Sequence, residues 1–541
     1  MKKWVIALLL VAVWGVVLAQ AQDSEPQELS FRGFLDEDEP FIDYEVAFDE
    51  GQAVLLVAEA TSGDLDTVLE LESPSGDLLF SNDDRSAYSR DSVIGFLSDA
   101  AGIYTVRVSR FPFHDNSGNF RLTITIGGLE VLQPLDDLTR YRLSGDEEMI
   151  ESEHFVVYYT TRGSDAATEE YARAVSTTFE EVWYIQLEEM RWPQPPMDSL
   201  TGGDGRYDVF LGDLINDQRN ALGVTVPRVR VGDNPNSPLL ETRAATSYIV
   251  IENDFAEAPD DDVITLMRST IAHEFHHAIQ LGYDYRDEHR WYYEATAVYM
   301  ETATLIKEQD AAAFVSYNFD YPELCFGTEV TDPGVGILIY GDWLFIQSLV
   351  DTYGEEVVQK LWQNIALYDG FAALEETLAR YSDDVPTALT RYRLQNLVRD
   401  YDLAESFDAT VFLEDIIDDT GRWTFNGAGI QELSANYFEL DVRAGDYEVS
   451  LARESADLEL WVIMITDDVA ISIPLGQEGV VEVGDQDYTY LMVFNPTYDD
   501  DINDCTYEEY VINVERVNDA PTSEGALTWD ATYFEPLNLR R

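Results

Sequence analysis

The feature that most restricts how this chain can fold is His273-Glu274-Phe275-His276-His277, set in the apolar run 271–281. It demands a helix with one face against a core and another turned toward a shared ligand. Residues four apart on a helix lie on one face, about one turn along the axis. His273 and His277 can therefore offer two imidazoles to one metal ion, and Glu274 points toward the water such an ion would hold. Zinc brings the acidity of a bound water toward neutrality, and a carboxylate beside it can take the proton. Histidine usage agrees: of six in the chain, His273, His276, His277 and His289 fall within 17 residues. Val263, Leu266, Met267, Thr270, Ile271, Ala278 and Leu281 continue a helical stripe that starts near Asp260-Asp261-Asp262, whose charges suit a helix N-terminus. The metal face should be nearly buried.

A catalytic zinc wants a third protein ligand and one open position. Glu294 lies 17 residues beyond His277. Gly282 can end the first helix, and 284–287 can turn the chain. A second helix from about Arg290 would bring Glu294 back to the histidines. Glu301, seven positions later on the same face, is the rival third ligand, or a contact to a histidine ring. His276 sits a hundred degrees from His277 around the helix, which suits packing or a supporting contact better than ligation.

With its downstream Glu294-Ala295-Thr296-Ala297, the motif resembles the gluzincin metallopeptidases. The run from His273 through Gly282 and Trp291 to Glu301 resembles a family of secreted bacterial metalloproteases. The resemblance implies a zincin-like domain in which His273, His277 and Glu294 bind Zn²⁺ and Glu274 is the general base. Several gluzincins take an oxyanion donor from a tyrosine or histidine downstream of the third ligand. Tyr340 is the candidate and His289 the weaker one, although among 31 tyrosines packing is the default role.

Residues 1–21 read as a secretory signal peptide: Lys2 and Lys3, an apolar core over 4–18, then Ala19-Gln20-Ala21. No later stretch is apolar enough to span a bilayer. The protein is expected to be secreted, with attachment to the cell surface through a partner left open. The net charge is −71, and loss of Lys2 and Lys3 takes it to −73, leaving only Lys307 and Lys360 among the lysines. That surface excludes nucleic acid as a partner and repels anionic membranes. It suits high ionic strength, with abundant calcium as the second reading. Cys325 and Cys505 can pair in an oxidising compartment or remain two thiols.

The expected fold is multidomain α+β, a central zincin-like metallopeptidase domain at 147–415 flanked by two all-β sandwich domains. Short alternating segments at 44–48, 53–57, 67–71, 104–108 and 120–124 make 25–128 a sandwich. Asp64-x-Asp66-Thr67, Ser73-Pro74-Ser75-Gly76 and Asn82-Asp83-Asp84 make this module resemble the bacterial pre-peptidase C-terminal domain. Asp64, Asp66, Asn82, Asp83 and Asp84 can bind Ca²⁺ or simply cap turns. A connector fills 129–146. Strands are expected at 153–161, 206–211 and 246–251, with a helix over 166–191 between the first two. One strand edge, 246–251 by preference, should hold an extended substrate. Helices continue to about 401. A second sandwich occupies 420–517, where 499–504 can hold calcium or form a solvated loop, and 518–541 is a loose tail.

The functional reading is a zinc endopeptidase acting on proteins or peptides. Oligomeric state is open, with a monomer the simplest expectation. The alternatives are a non-catalytic surface or adhesion protein with a remnant metal domain, and a zinc hydrolase acting on another substrate class.

Overall fold

Alternating segments become strands from residue 27 onward. The computed structural model describes residues 26–37, 39–76, 78–82, 85, 89–111, 116–197, 204–215, 221–255, 263–287, 289–304, 310–328, 338–418, 421–424, 429–451, 457–502, 504–517 and 527–530. The leader 1–21, Asp83, Asp84 and 260–262 lie outside them. The chain divides into a unit ending at Tyr285 and a unit beginning at Arg286. Helices and several β-sheets are mixed along it.

The first unit begins with β1 (Gln27–Leu35), β2 (Phe41–Phe48), β3 (Ala53–Ala60), β4 (Thr67–Glu72), β5 (Leu78–Asn82), β6 (Ser92–Leu97), β7 (Gly102–Arg110) and β8 (Gly118–Gly127). Strands β2, β7, β4 and β5 form one sheet; β1, β8, β3 and β6 start another. In β8 every second side chain is buried, as a half-covered strand requires. Tyr104, Phe96, Phe120 and Leu56 fill the core between the sheets.

The second of these sheets does not end with the sandwich. It continues through β12 (Gly223–Gly232), β13 (Ala244–Glu252), β11 (Tyr207–Gly212), β10 (Phe155–Tyr159) and β9 (Glu148–Glu151), nine strands in all. The join is parallel pairing of β6 with β12, Gly95 beside Val229 and Phe96 beside Arg230. The expected modules 25–128 and 147–415 thus share one sheet. The connector folds as well: α1 (Gln133–Thr139) and the turn before it set Val131, Leu132 and Leu135 against Ala53, Leu55, Val93 and Val229.

Strand β13 is buried along its whole length, Thr246, Ser247 and Glu252 included. Helix α2 (Glu169–Trp183) is capped by the Thr168 hydroxyl, which accepts from Tyr171 N. It then widens into a π-type turn over Tyr184–Glu189, closed by Met190 N donating to Ile185 O. Helix α3 (Val263–Gln280) carries the histidines.

The second unit opens with α4 (Trp291–Thr304), α5 (Val315–Asp320), α6 (Leu338–Gly341), α7 (Trp343–Tyr353), α8 (Glu356–Ile365), α9 (Phe371–Ala379) and α10 (Val385–Val398). A sandwich of two sheets follows, around Tyr447, Val462, Leu491 and Ile512. Its strands extend past 420–517 on both sides. Asp415–Ile417 joins one edge of the larger sheet, and Leu527–Asp530 pairs antiparallel with Val469–Gly476 at the other. The tail expected to be loose therefore supplies an edge strand over 527–530. Cys325 and Cys505 form a disulfide that fastens the helical part of this unit to its sandwich.

Candidate metal centre

Helix α3 is fixed in rotation by Phe275, whose ring lies edge-on to Phe155, Tyr207 and, at a tilt, Trp183. With Phe275 against that cluster, His273 and His277 share another face. Their Nε2 atoms lie 2.9 Å apart, and the rings stand at 83°. Gln280, one turn on, accepts from His277 Nδ1–H at 2.6 Å. That bond sets the tautomer and leaves the His277 Nε2 lone pair for a ligand. The donor set fits zinc: two imidazole nitrogens close enough to share an ion at ordinary Zn–N distances of about 2.0–2.1 Å. His273, Glu274 and His277 place one ligand atom each within 4.8 Å of one another.

Glu274 is 6 % exposed and has a partner that sequence patterning missed. The Thr225 hydroxyl, on β12, lies 2.7 Å from Glu274 Oε2 and 2.8 Å from its carbonyl oxygen. Gly223 makes the approach possible. A Cβ there would lie 2.6 Å from Glu274 Cγ and 2.7 Å from Thr270 Cγ2. Nothing in Gly-Val-Thr-Val-Pro-Arg announces a strand, since Pro227 breaks the pattern. A glycine and a threonine two apart, facing one side, were the available signal.

His276 takes the packing role. It is fully buried, edge-on to Trp192, with Nδ1 3.3 Å from Gln186 Oε1. Gln186 also donates to Ala272 O at 3.0 Å, so the π-type turn clamps the back of α3. Burial, then His277 and His273 nearby, hold the His276 ring well below the usual imidazole range.

The strand expected to offer substrate an edge is an interior one. β13, which contains 246–251, lies between β11 and β12, so both its edges are taken. The edge beside α3 belongs to β12. Glu252 N donates to Leu222 O, which makes that opposed pair hydrogen-bonded. Antiparallel pairs alternate, so Val224 and Val226 turn their backbone groups to β13. Gly223, Thr225 and Pro227 turn theirs the other way, and no strand among the described residues pairs with that edge before Val229.

Helix α3 ends at Gln280, as expected, but Gly282 is not in the left-handed region. It serves close packing: a Cβ would lie 2.9 Å from Asn234 Nδ2 and 3.1 Å from Pro196. Asp284 is buried against Arg243, 2.9 Å away.

Glu294, half-buried, and Glu301, buried, both sit on α4 of the second unit. Tyr340 is on α6 with its ring 5.2 Å from Phe314. His289 has packing contacts within the second unit. Its Nε2–H donates to Asp500 O at 2.9 Å and its ring packs on Phe371. Asp500 also accepts from Phe371 N, capping α9, so this loop has a structural duty. Asp64 accepts from Ser117 N, Asn82 from Val93 N, and Asp66 lies 3.9 Å from Arg90. These are the turn-holding roles that compete with calcium.

No protein-family model and no curated protein matches the sequence. Among solved structures, the chain is similar to the IMPa metallopeptidase from Pseudomonas aeruginosa, at 11% identity over 66% of this chain and 44% of that one, TM-score 0.18. It is similar to the M60 catalytic domain of Clostridium perfringens ZmpB with its CBM51 domains, at 8% identity over 92% of this chain and 76% of that one, TM-score 0.19. It is also similar to the pre-peptidase C-terminal domain of Bacillus anthracis collagenase, at 13% identity over 18% of this chain and 88% of that one, TM-score 0.16. Distant neighbours thus include metallopeptidases and a pre-peptidase C-terminal domain. At such scores the whole chains do not superpose, and the chemistry rests on the site's own residues.

Proposed function

We propose that this chain is an exported zinc-dependent endopeptidase, with His273 and His277 as ligands and Glu274 as general base. The observation that carries this reading is the pair of Nε2 atoms 2.9 Å apart, flanked by a nearly buried carboxylate that Thr225 holds. Bound zinc would polarise a peptide carbonyl and acidify water. The chain supplies the other parts. Glu274 takes the proton of the attacking water and passes it to the leaving amine. Thr225 keeps the carboxylate aimed, and Gly223 leaves it room. The outward backbone groups of Gly223 and Thr225 can hold an extended peptide by strand addition.

Glu294 is proposed as third ligand on its sequence spacing, with Glu301 in a supporting place and Tyr340 as oxyanion donor. The leader and the disulfide support export to an oxidising compartment. No helix among the described residues is long and apolar enough to cross a membrane. A surface or adhesion protein would have no use for a base beside its metal, which favours the enzyme.

The test is casein hydrolysis by the purified mature chain, with and without a zinc chelator, beside Glu274→Gln. Loss of activity in both controls is the expected result. Activity that survives Glu274→Gln would overturn the mechanism. An inert wild type that still binds zinc would favour the adhesion reading.

A further inference from the structure

The same edge of β12 has a built-in stop. Beyond Thr225, the next residue facing outward is Pro227, which has a carbonyl but no N–H to offer. Two residues later the edge is taken, since Val229 and Arg230 pair with Gly95 and Phe96 of β6. That join is firm. Val229 is buried with the Leu132 and Leu135 cluster. The Arg230 guanidinium lies 3.7 Å from Asp99 and over the Phe80 ring, both from the sandwich. Thr225 marks the base, because its hydroxyl touches Glu274. The distance along the strand from Thr225 to Val229 is about 13 Å, at ~3.3 Å per residue.

We infer that the N-terminal sandwich, through β6 and with Pro227, closes one end of the substrate cleft, so that only about three substrate residues fit on that side of the base. This rests on the peptidase reading and on strand addition along β12. The preferred substrate is then a peptide with a short reach on one side of the cleaved bond and no such limit from this edge on the other. It also makes the N-terminal sandwich a working wall of the cleft.

The experiment uses the full mature chain and quenched peptides that share one cleaved bond, extended by one residue at a time on either side. Cleavage positions are read by mass spectrometry. On one side kcat/KM should rise tenfold or more over the first residues, then stop rising after about the third. Pro227→Ala, which restores an N–H, should raise kcat/KM severalfold more for peptides reaching that position than for shorter ones, and an equal change for both would overturn the part given to Pro227. Equal gains on both sides out to six residues would overturn the closed end while leaving the peptidase reading intact. Failure to cleave any peptide or protein would sink the peptidase reading, and the closed end with it.

Discussion

Thr225 shows how a residue without distinctive chemistry can control one that has it. Its hydroxyl donates to a nearly buried carboxylate, a charge-assisted bond worth about 1.5–3 kcal/mol. Thr225→Val keeps the shape and removes the donor. The expected outcome is a fall in kcat of about 10–100-fold with KM and zinc content unchanged. Thr225→Ser should recover most of it. An equal loss in both variants would assign Thr225 to packing alone.

Glu252 offers a second prediction at this scale. Its side chain is fully buried, and Oε2 accepts from Leu214 N and Ile215 N. Burial, ahead of the charges on Asp213 and Asp254, pushes its carboxyl up to about 7. The folded state then holds a proton that the unfolded chain releases near the ordinary carboxylate range. Stability is therefore greatest below that range and falls as pH rises to about 7. Unfolding free energies from denaturant titrations between pH 4.5 and 7 should decline by an amount on the order of 1–3 kcal/mol in the wild type, and less in Glu252→Gln.

At the scale of elements, the site depends on how close β12 comes to α3. Gly223 permits that approach, with Glu274 Oε1 only 2.9 Å from where a Cβ would lie. Gly223→Val should cost about 1–3 kcal/mol and displace Glu274, reducing kcat well beyond the loss in stability. Unfolding midpoints and zinc content measured on the same preparation separate the two effects. The helix itself was legible from its histidine spacing and apolar stripe. β12 was not, since Pro227 and Arg228 interrupt its alternation and Arg230 sits where an apolar residue would be expected. Proline is tolerated there because its missing N–H lies on the edge that β13 does not use.

Across the whole molecule, the Cys325–Cys505 bond closes a separation of 180 residues within the second unit. The chain-entropy account assigns such a loop about 5 kcal/mol at most. Cys325→Ala with Cys505→Ala should lower the stability of that unit by about 2–5 kcal/mol. Thermal unfolding of the wild type and the double variant measured side by side checks this, and an unchanged midpoint would contradict it.

Local pattern alone determined β2, β3, β4, β7 and β8 of the first sandwich, the strand character of 420–517, and the helix with His273 and His277, while β1, β5 and β6 went unread. These depend on periodicity and on residue type within a few positions. The tertiary structure decided the rest: the Cys325–Cys505 pairing, the sheet running from sandwich to metal helix, the strand that borders the site, and the hydroxyl on Glu274. Each joins residues far apart in the chain. Thr225 and Glu274 are 49 positions apart, and Gly95 and Val229 are further still. Such contacts are chosen by the global fit of buried surfaces, for which no short stretch of sequence carries a signal.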